Sequence, residues 1–152
     1  MMESVIYEEK PEYDGWLRGI MALPVFFILW GAYYLYLREI GGAVGLFATA
    51  LLMGLIFWAV FPRKYQILDD KIRIALGGQF TFKIPFDNLE TAGKPEGVNF
   101  GVNFVTTFVS EHVVEIKRKK GMNVNITPSN RDLFLENLNK AIHDWKSGAK
   151  QD

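Results

Sequence analysis

Two long apolar stretches with only three residues between them constrain this chain more than any other feature. Leu17 to Leu37 runs 21 residues with one charge, Arg18, at its edge, and Gly41 to Phe61 runs another 21 with none. At 1.5 Å rise per residue each helix would span roughly 31 Å, about one hydrocarbon core. A linker of Arg38-Glu39-Ile40 is too short to cross anything, so the two helices are expected to form an antiparallel transmembrane hairpin with both chain ends on one side. Arg63 and Lys64 follow the second stretch directly, whereas Arg38 is neutralised by Glu39, so the positive-inside bias places both termini in the cytoplasm of a cell-membrane protein. Trp16 and Trp58 fall toward the cytoplasmic ends and Tyr33, Tyr34 and Tyr36 toward the loop, as interfacial belts do; Trp30 fits that pattern less well. Met1 to Gly15 carries five acidic residues against Lys10 alone, the opposite of a signal-peptide leader.

Within the hairpin, Pro24 reads as a residue tolerated near a helix end rather than as a kink. Gly41, Gly45 and Thr49 stand four apart, with Ala50 and Gly54 repeating the interval. Small residues at that spacing let backbones approach closely, and the expected mate is the first helix with its Gly19, Ala22, Gly31 and Ala32; a homo-oligomer face is the alternative.

From Pro62 the grammar changes to short alternating runs punctuated by turns. Lys64 to Leu68 and Lys71 to Leu76 flank the two-residue turn Asp69-Asp70, with Ile72, Ile74 and Leu76 on one face and Lys71 and Arg73 on the other. Phe80 to Phe86 reads as a third strand with Phe80, Phe82, Ile84 and Phe86 on one face, Asn88 to Ala92 as a short fourth, and Val102 to Val109, His112 to Lys119 and Met122 to Thr127 as three more. Ser129 with Asp132 three residues on resembles a capping box, and Phe134, Leu138, Ala141, Ile142 and Trp145 follow at helical spacing. The economical expectation is a small antiparallel barrel plugged by one amphipathic helix. Expected boundaries are an acidic leader over 1–15, the hairpin over 16–61, the sheet module over 62–147 and a tail over 148–152.

This order resembles the bacterial pleckstrin-homology-like (PH-like) membrane proteins, in which a transmembrane hairpin precedes a PH-like domain. The likeness is carried by Ile6 to Pro11 before the first helix, Tyr65 to Ile74 after the second, Ile84 to Glu90, and Val114-Glu115-Ile116 through Ile126-Thr127-Pro128 into Phe134-Leu135. The resemblance implies an α+β protein with a seven-stranded antiparallel barrel and a capping C-terminal helix, and supplies no catalytic residues. Phosphoinositide-binding PH domains gather basic groups from the first two strands around phosphates, and Lys64, Lys71 and Arg73 mimic that set at a shorter spacing. Asp69-Asp70 puts two carboxylates at the same hairpin tip and would repel phosphates, so an inositol-phosphate site is not expected.

The chemistry-bearing residues point to binding. Lys117-Arg118-Lys119-Lys120 is the only dense charge run, and each basic group near an anionic bilayer is worth about 1 kcal/mol. Gly97-Val98-Asn99-Phe100 is repeated at once as Gly101-Val102-Asn103-Phe104; an exposed Phe100 would be a docking residue, a folded-back one part of the core. His112 and His143 are isolated, no cysteine is present, and no phosphate-cradling loop, nucleophile elbow or metal motif occurs. Seventeen basic against seventeen acidic residues argue against a nucleic-acid partner. The expected role is a non-enzymatic, membrane-anchored adaptor or assembly factor, without cofactor or metal, for a membrane-associated protein. The alternative is a sensor of anionic lipid surface. The residues expected to touch lipid or partner are Lys64, Lys71, Arg73, Phe100, Lys117, Arg118, Lys119 and Lys120.

Overall fold

A computed structural model describes residues 4–97, 101–107 and 109–148. The two apolar stretches fold as helices lying side by side. The first is divided, α1 over Gly15–Met21 and α2 over Leu23–Tyr36, and the second is the continuous α3 over Ile40–Val60. The break falls at Ala22 because Pro24, in the first turn of α2, has no N–H to offer the carbonyl of Ile20. Pro24 therefore does more than occupy a helix end.

The turn at the other end is a Schellman motif: Arg38 donates to the Leu35 carbonyl at 3.0 Å and Glu39 to that of Tyr34 at 3.0 Å, with Arg38 at a φ of 62°. In the seam between α2 and α3, Ala43 and Ala50 are buried, seven residues apart on one stripe. A side chain at Gly42 would meet the Tyr34 ring at 2.4 Å, and one at Gly31 the Phe47 ring at 2.9 Å. The seam is thus made by rings seated over glycines. Gly41 and Gly45 have nothing within 4 Å of a side-chain position, so the expected Gly41-Gly45-Thr49 stripe is turned away from the first helix.

The rest of the chain builds two four-stranded sheets. The first holds β1 (Val5–Glu9), β2 (Lys64–Leu68), β3 (Lys71–Ala75) and β4 (Thr81–Pro85), antiparallel in that order. The second holds β5 (Leu89–Gly93), β6 (Gly101–Phe104), β7 (Val114–Arg118) and β8 (Asn123–Ile126) in the order β5-β7-β8-β6. Alternation sends Tyr65, Ile67, Ile72, Ile74 and Ile84 of one sheet and Val114, Ile116, Val124 and Ile126 of the other into a shared core. The last helix, α4 (Arg131–Gly148), adds Phe134, Leu138 and Ala141 to that core, and Trp145 meets Phe86 edge-on at 6.0 Å.

Four sequence expectations change. First, the described residues form eight strands instead of seven, because the acidic leader supplies β1, paired with β2 from Val5↔Leu68 to Glu9↔Tyr65. Second, no closed barrel forms among the described residues. A 3-10 turn over Phe86–Asn88 carries the chain between sheets on one side, and on the other the leader makes a single bridge, Pro11 to Pro128, where two prolines cannot donate to a continuing ladder. Third, β6 runs parallel to β8, since the chain after Gly93 returns to the end from which β5 started; Gly101 permits the approach, its side-chain position being 2.4 Å from the Asn123 carbonyl oxygen. Fourth, α4 is capped by Asn130, whose Oδ1 accepts from the Leu133 N–H at 3.1 Å, while the Ser129 hydroxyl donates to the Lys10 carbonyl at 2.9 Å. Strand ends also shift: Phe80 lies outside β4 and is exposed, β6 stops at Phe104, and His112 belongs to a 3-10 turn before β7.

The leader does more than add an edge. Beyond β1 its backbone bonds cross to the second sheet's end, Glu12 N–H to Thr127 at 2.9 Å and Asp14 N–H to Thr106 at 3.1 Å, over a buried pair of Thr106 and Thr127 hydroxyls 2.8 Å apart. Chain before the hairpin and chain after it are therefore one packed unit on one side of the two helices.

Candidate functional site

The candidate basic residues are placed by the two hairpins that carry them. Lys64 starts β2, immediately after α3, and its ammonium is 2.7 Å from the Glu8 carboxylate. That contact, followed by a hydrogen bond from Gln66, holds the Glu8 carboxyl below its usual range. Glu8, Gln66, Arg73 and Lys83 stand opposite one another across the outer face of the first sheet. Lys71 shares that face with Arg73, and its ammonium is 3.5 Å from Asp70. Asp69 in turn accepts from the Ser4 hydroxyl. The hairpin tip is thus tied to the leader and to its own strand.

Lys117 to Lys120 form the end of β7 and its turn. Lys117 pairs with Glu96 at 3.1 Å, which raises the ammonium above its usual range. The Arg118 Nε donates to the Met122 carbonyl at 2.6 Å and its guanidinium lies 5.5 Å over the Phe82 ring. Lys119 Nζ donates to the Asp87 carbonyl at 2.8 Å, and the Lys120 N–H to Asn88 Oδ1 at 2.9 Å. The acidic leader, which charge alone would send to this turn, instead contacts Lys64, Gln66 and Asn130 through Glu8 and Glu9.

Register places these groups relative to the helices. β2 leaves the foot of α3 at Lys64, and the turn after β3 abuts α3 so closely that side-chain positions at Gly77 and Gly78 would strike the Trp58 carbonyl and ring. Asp70 accepts from the Phe86 N–H at 2.8 Å, and Asn88 accepts from the Lys119 N–H at 2.9 Å, so the basic turn lies at the other end of the strands. A five-residue strand separates the two ends by roughly 17 Å. Lys64 and the Lys117–Lys120 run therefore do not converge on one ligand. Phe100 lies outside the described residues.

Two arrangements have no counterpart in the sequence reading. The outer face of the second sheet carries a polar row in which Glu115 and Asn125 are buried, Asn123 is half-buried and Asn103 is exposed: Asn123 Nδ2 donates to Glu115 Oε1 at 3.0 Å and Asn125 Nδ2 to Asn103 Oδ1 at 2.6 Å. Glu115 Oε2 and Asn125 Oδ1 are buried without a partner among the described residues. Alternation of Asn123 and Asn125 opposite Glu115 was the available signal.

The other arrangement lies where the leader, α1 and the end of α3 meet. Met21, Pro24, Gly54, Phe57, Trp58 and Phe61 line a cavity of about 350 Å³, with Tyr13 and Arg63 completing it. Tyr13 donates to the Pro62 carbonyl, and burial pushes its hydroxyl up to about 12 despite the nearby Arg63. The Arg63 guanidinium stands 5.7 Å from the Trp58 ring centroid. Among the described residues no three histidine or acidic side chains gather closely enough to hold a metal ion. No protein-family model, curated protein or solved structure matches the chain.

Proposed function

We propose that this chain is a membrane-anchored, non-enzymatic binding module, an adaptor or assembly factor for a membrane-associated protein, whose helical hairpin inserts from the cytoplasmic side. The observation that carries the reading is the apolar surface of the hairpin. Phe26, Leu29, Trp30, Leu51 and Leu52 are each at least 60% exposed, on two apolar segments, Gly15–Tyr36 and Ile40–Val60, that are long enough to cross a bilayer and carry a single charge, Arg18. A continuous apolar sheath of that size needs lipid or protein around it. Two sheets facing across one core with α4 packed along it make the chain α+β, the class that a PH-like domain requires.

Binding is favoured over catalysis because the sequence offers surfaces and no reactive motif, and tethering raises effective concentration toward membrane partners without new chemistry. The lipid-surface alternative is the weaker of the two. Its densest cation cluster stands roughly 17 Å along the strands from the hairpin end, about twice the Debye length at physiological salt. Gentle-detergent purification of the tagged full-length chain from its own membranes tests the proposal. One membrane protein recovered in near-equal amount is the expected result; recovery of the chain alone would count against an adaptor.

A further inference from the structure

Packing of the hairpin is uneven along its length, and the unevenness is local to one end. Near the turn, rings of Tyr34 and Phe47 fill the space above Gly42 and Gly31. Toward the foot, the first helix is broken at Ala22 beside Pro24, and Gly54 has nothing within 4 Å of its side-chain position. The cavity there, about 350 Å³, has a volume typical of small-ligand pockets. Its walls are aliphatic and aromatic, since the Tyr13 hydroxyl is already donated to Pro62. One charged group belongs to it: Arg63, which rests over Trp58 and pairs with no carboxylate among the described residues.

From this geometry we infer that the cleft seats one anionic phospholipid, its phosphate on the Arg63 guanidinium and an acyl segment between Pro24 and Gly54. Arginine's planar fork matches a phosphate's oxygens, and its charge disfavours a headgroup that carries its own cation. The site sits where α3 ends and the charged chain begins, the level at which a lipid's apolar and charged parts divide. The seat rests on the membrane reading proposed above, and it differs from a surface sensor in holding one molecule in a cavity rather than many on a face.

Full-length protein purified in mild detergent is incubated with equal amounts of phosphatidylglycerol and phosphatidylcholine and examined by native mass spectrometry. One phosphatidylglycerol is expected to remain bound. Arg63→Gln is expected to reduce its preference over phosphatidylcholine roughly tenfold, as loss of a charge-assisted contact does. Gly54→Leu, which fills the cleft, is expected to abolish retention, whereas Gly45→Leu, on the open face of α3, is expected to leave it unchanged. Equal retention of the two lipids by the unmodified chain, or a Gly54→Leu variant that keeps its lipid, would overturn the seat. Alkaline carbonate treatment of membranes separates the two readings. A chain released into the supernatant defeats membrane insertion and the seat with it, while a chain that stays in the pellet but retains no phosphatidylglycerol defeats the seat alone.

Discussion

Arg38 occupies a left-handed conformation, φ 62°, at the position that most often belongs to glycine in a Schellman turn. A side chain there costs about 1 kcal/mol, and glycine gives back part of that through its freer unfolded state. Arg38→Gly is therefore expected to stabilise the hairpin by about 0.5 kcal/mol, and Arg38→Val to destabilise it, in a denaturing-detergent titration. Tyrosines define the other residue-scale expectation. Tyr7, Tyr13 and Tyr65 are each pushed up to about 12, burial being the first cause in every case. The unfolded chain ionises its tyrosines near the ordinary value of about 10, so stability is intact below that pH and falls as pH rises through the window to about 12. Tyr65 donates to the Phe104 carbonyl at 2.9 Å and accepts from the Thr127 N–H at 3.4 Å. Tyr65→Phe is expected to cost roughly 1–2 kcal/mol at neutral pH and to flatten the alkaline limb, read by phenolate absorbance alongside unfolding.

At the scale of elements, the seam between α2 and α3 distinguishes glycines that sequence spacing cannot. Gly42→Leu must displace the Tyr34 ring and is expected to cost about 1–3 kcal/mol of hairpin stability, whereas Gly45→Leu meets open space and is expected to change it little. Equal effects at the two positions, measured in the same detergent titration, would refute this packing. Interval-four glycines were visible in the sequence, but which stripe faces inward depends on where the large rings of the partner helix lie. The α4 cap teaches the same lesson: Ser129 and Asn130 are both competent caps, and the Lys10 carbonyl decides between them by taking the Ser129 hydroxyl. β1 is not legible in the sequence because five residues ending in two glutamates look like part of a charged leader. Only Lys64, far along the chain, turns Glu8 into half of an ion pair.

For the whole molecule, β1 paired with β2 fixes leader and sheet module on the same side of the hairpin. The chain lacks cysteine, so single substitutions report sidedness directly. Ser4→Cys and Lys140→Cys are expected to label from the cytoplasmic side with a membrane-impermeant maleimide, and Glu39→Cys from the opposite side. Labelling of all three from one side would show that the helices do not span. A fragment beginning at Pro62 would lack β1 and the strap to Thr106 and Thr127, so binding studies belong to the full chain.

Whatever a local period can encode was legible in the sequence: two apolar helical segments of spanning length, a reversal between them, strand alternation from Lys64 to Ile126, and an amphipathic last helix. Those signals survive because burial of one face needs no knowledge of what covers it. Tertiary structure decided the remainder. The order β5-β7-β8-β6, the parallel partner of β8, the strand drawn from the leader and the pocket at the foot of α3 all depend on which distant segments meet. The basic residues show the difference most plainly: their count and spacing are written in the chain, but their separation by a strand's length follows from register alone.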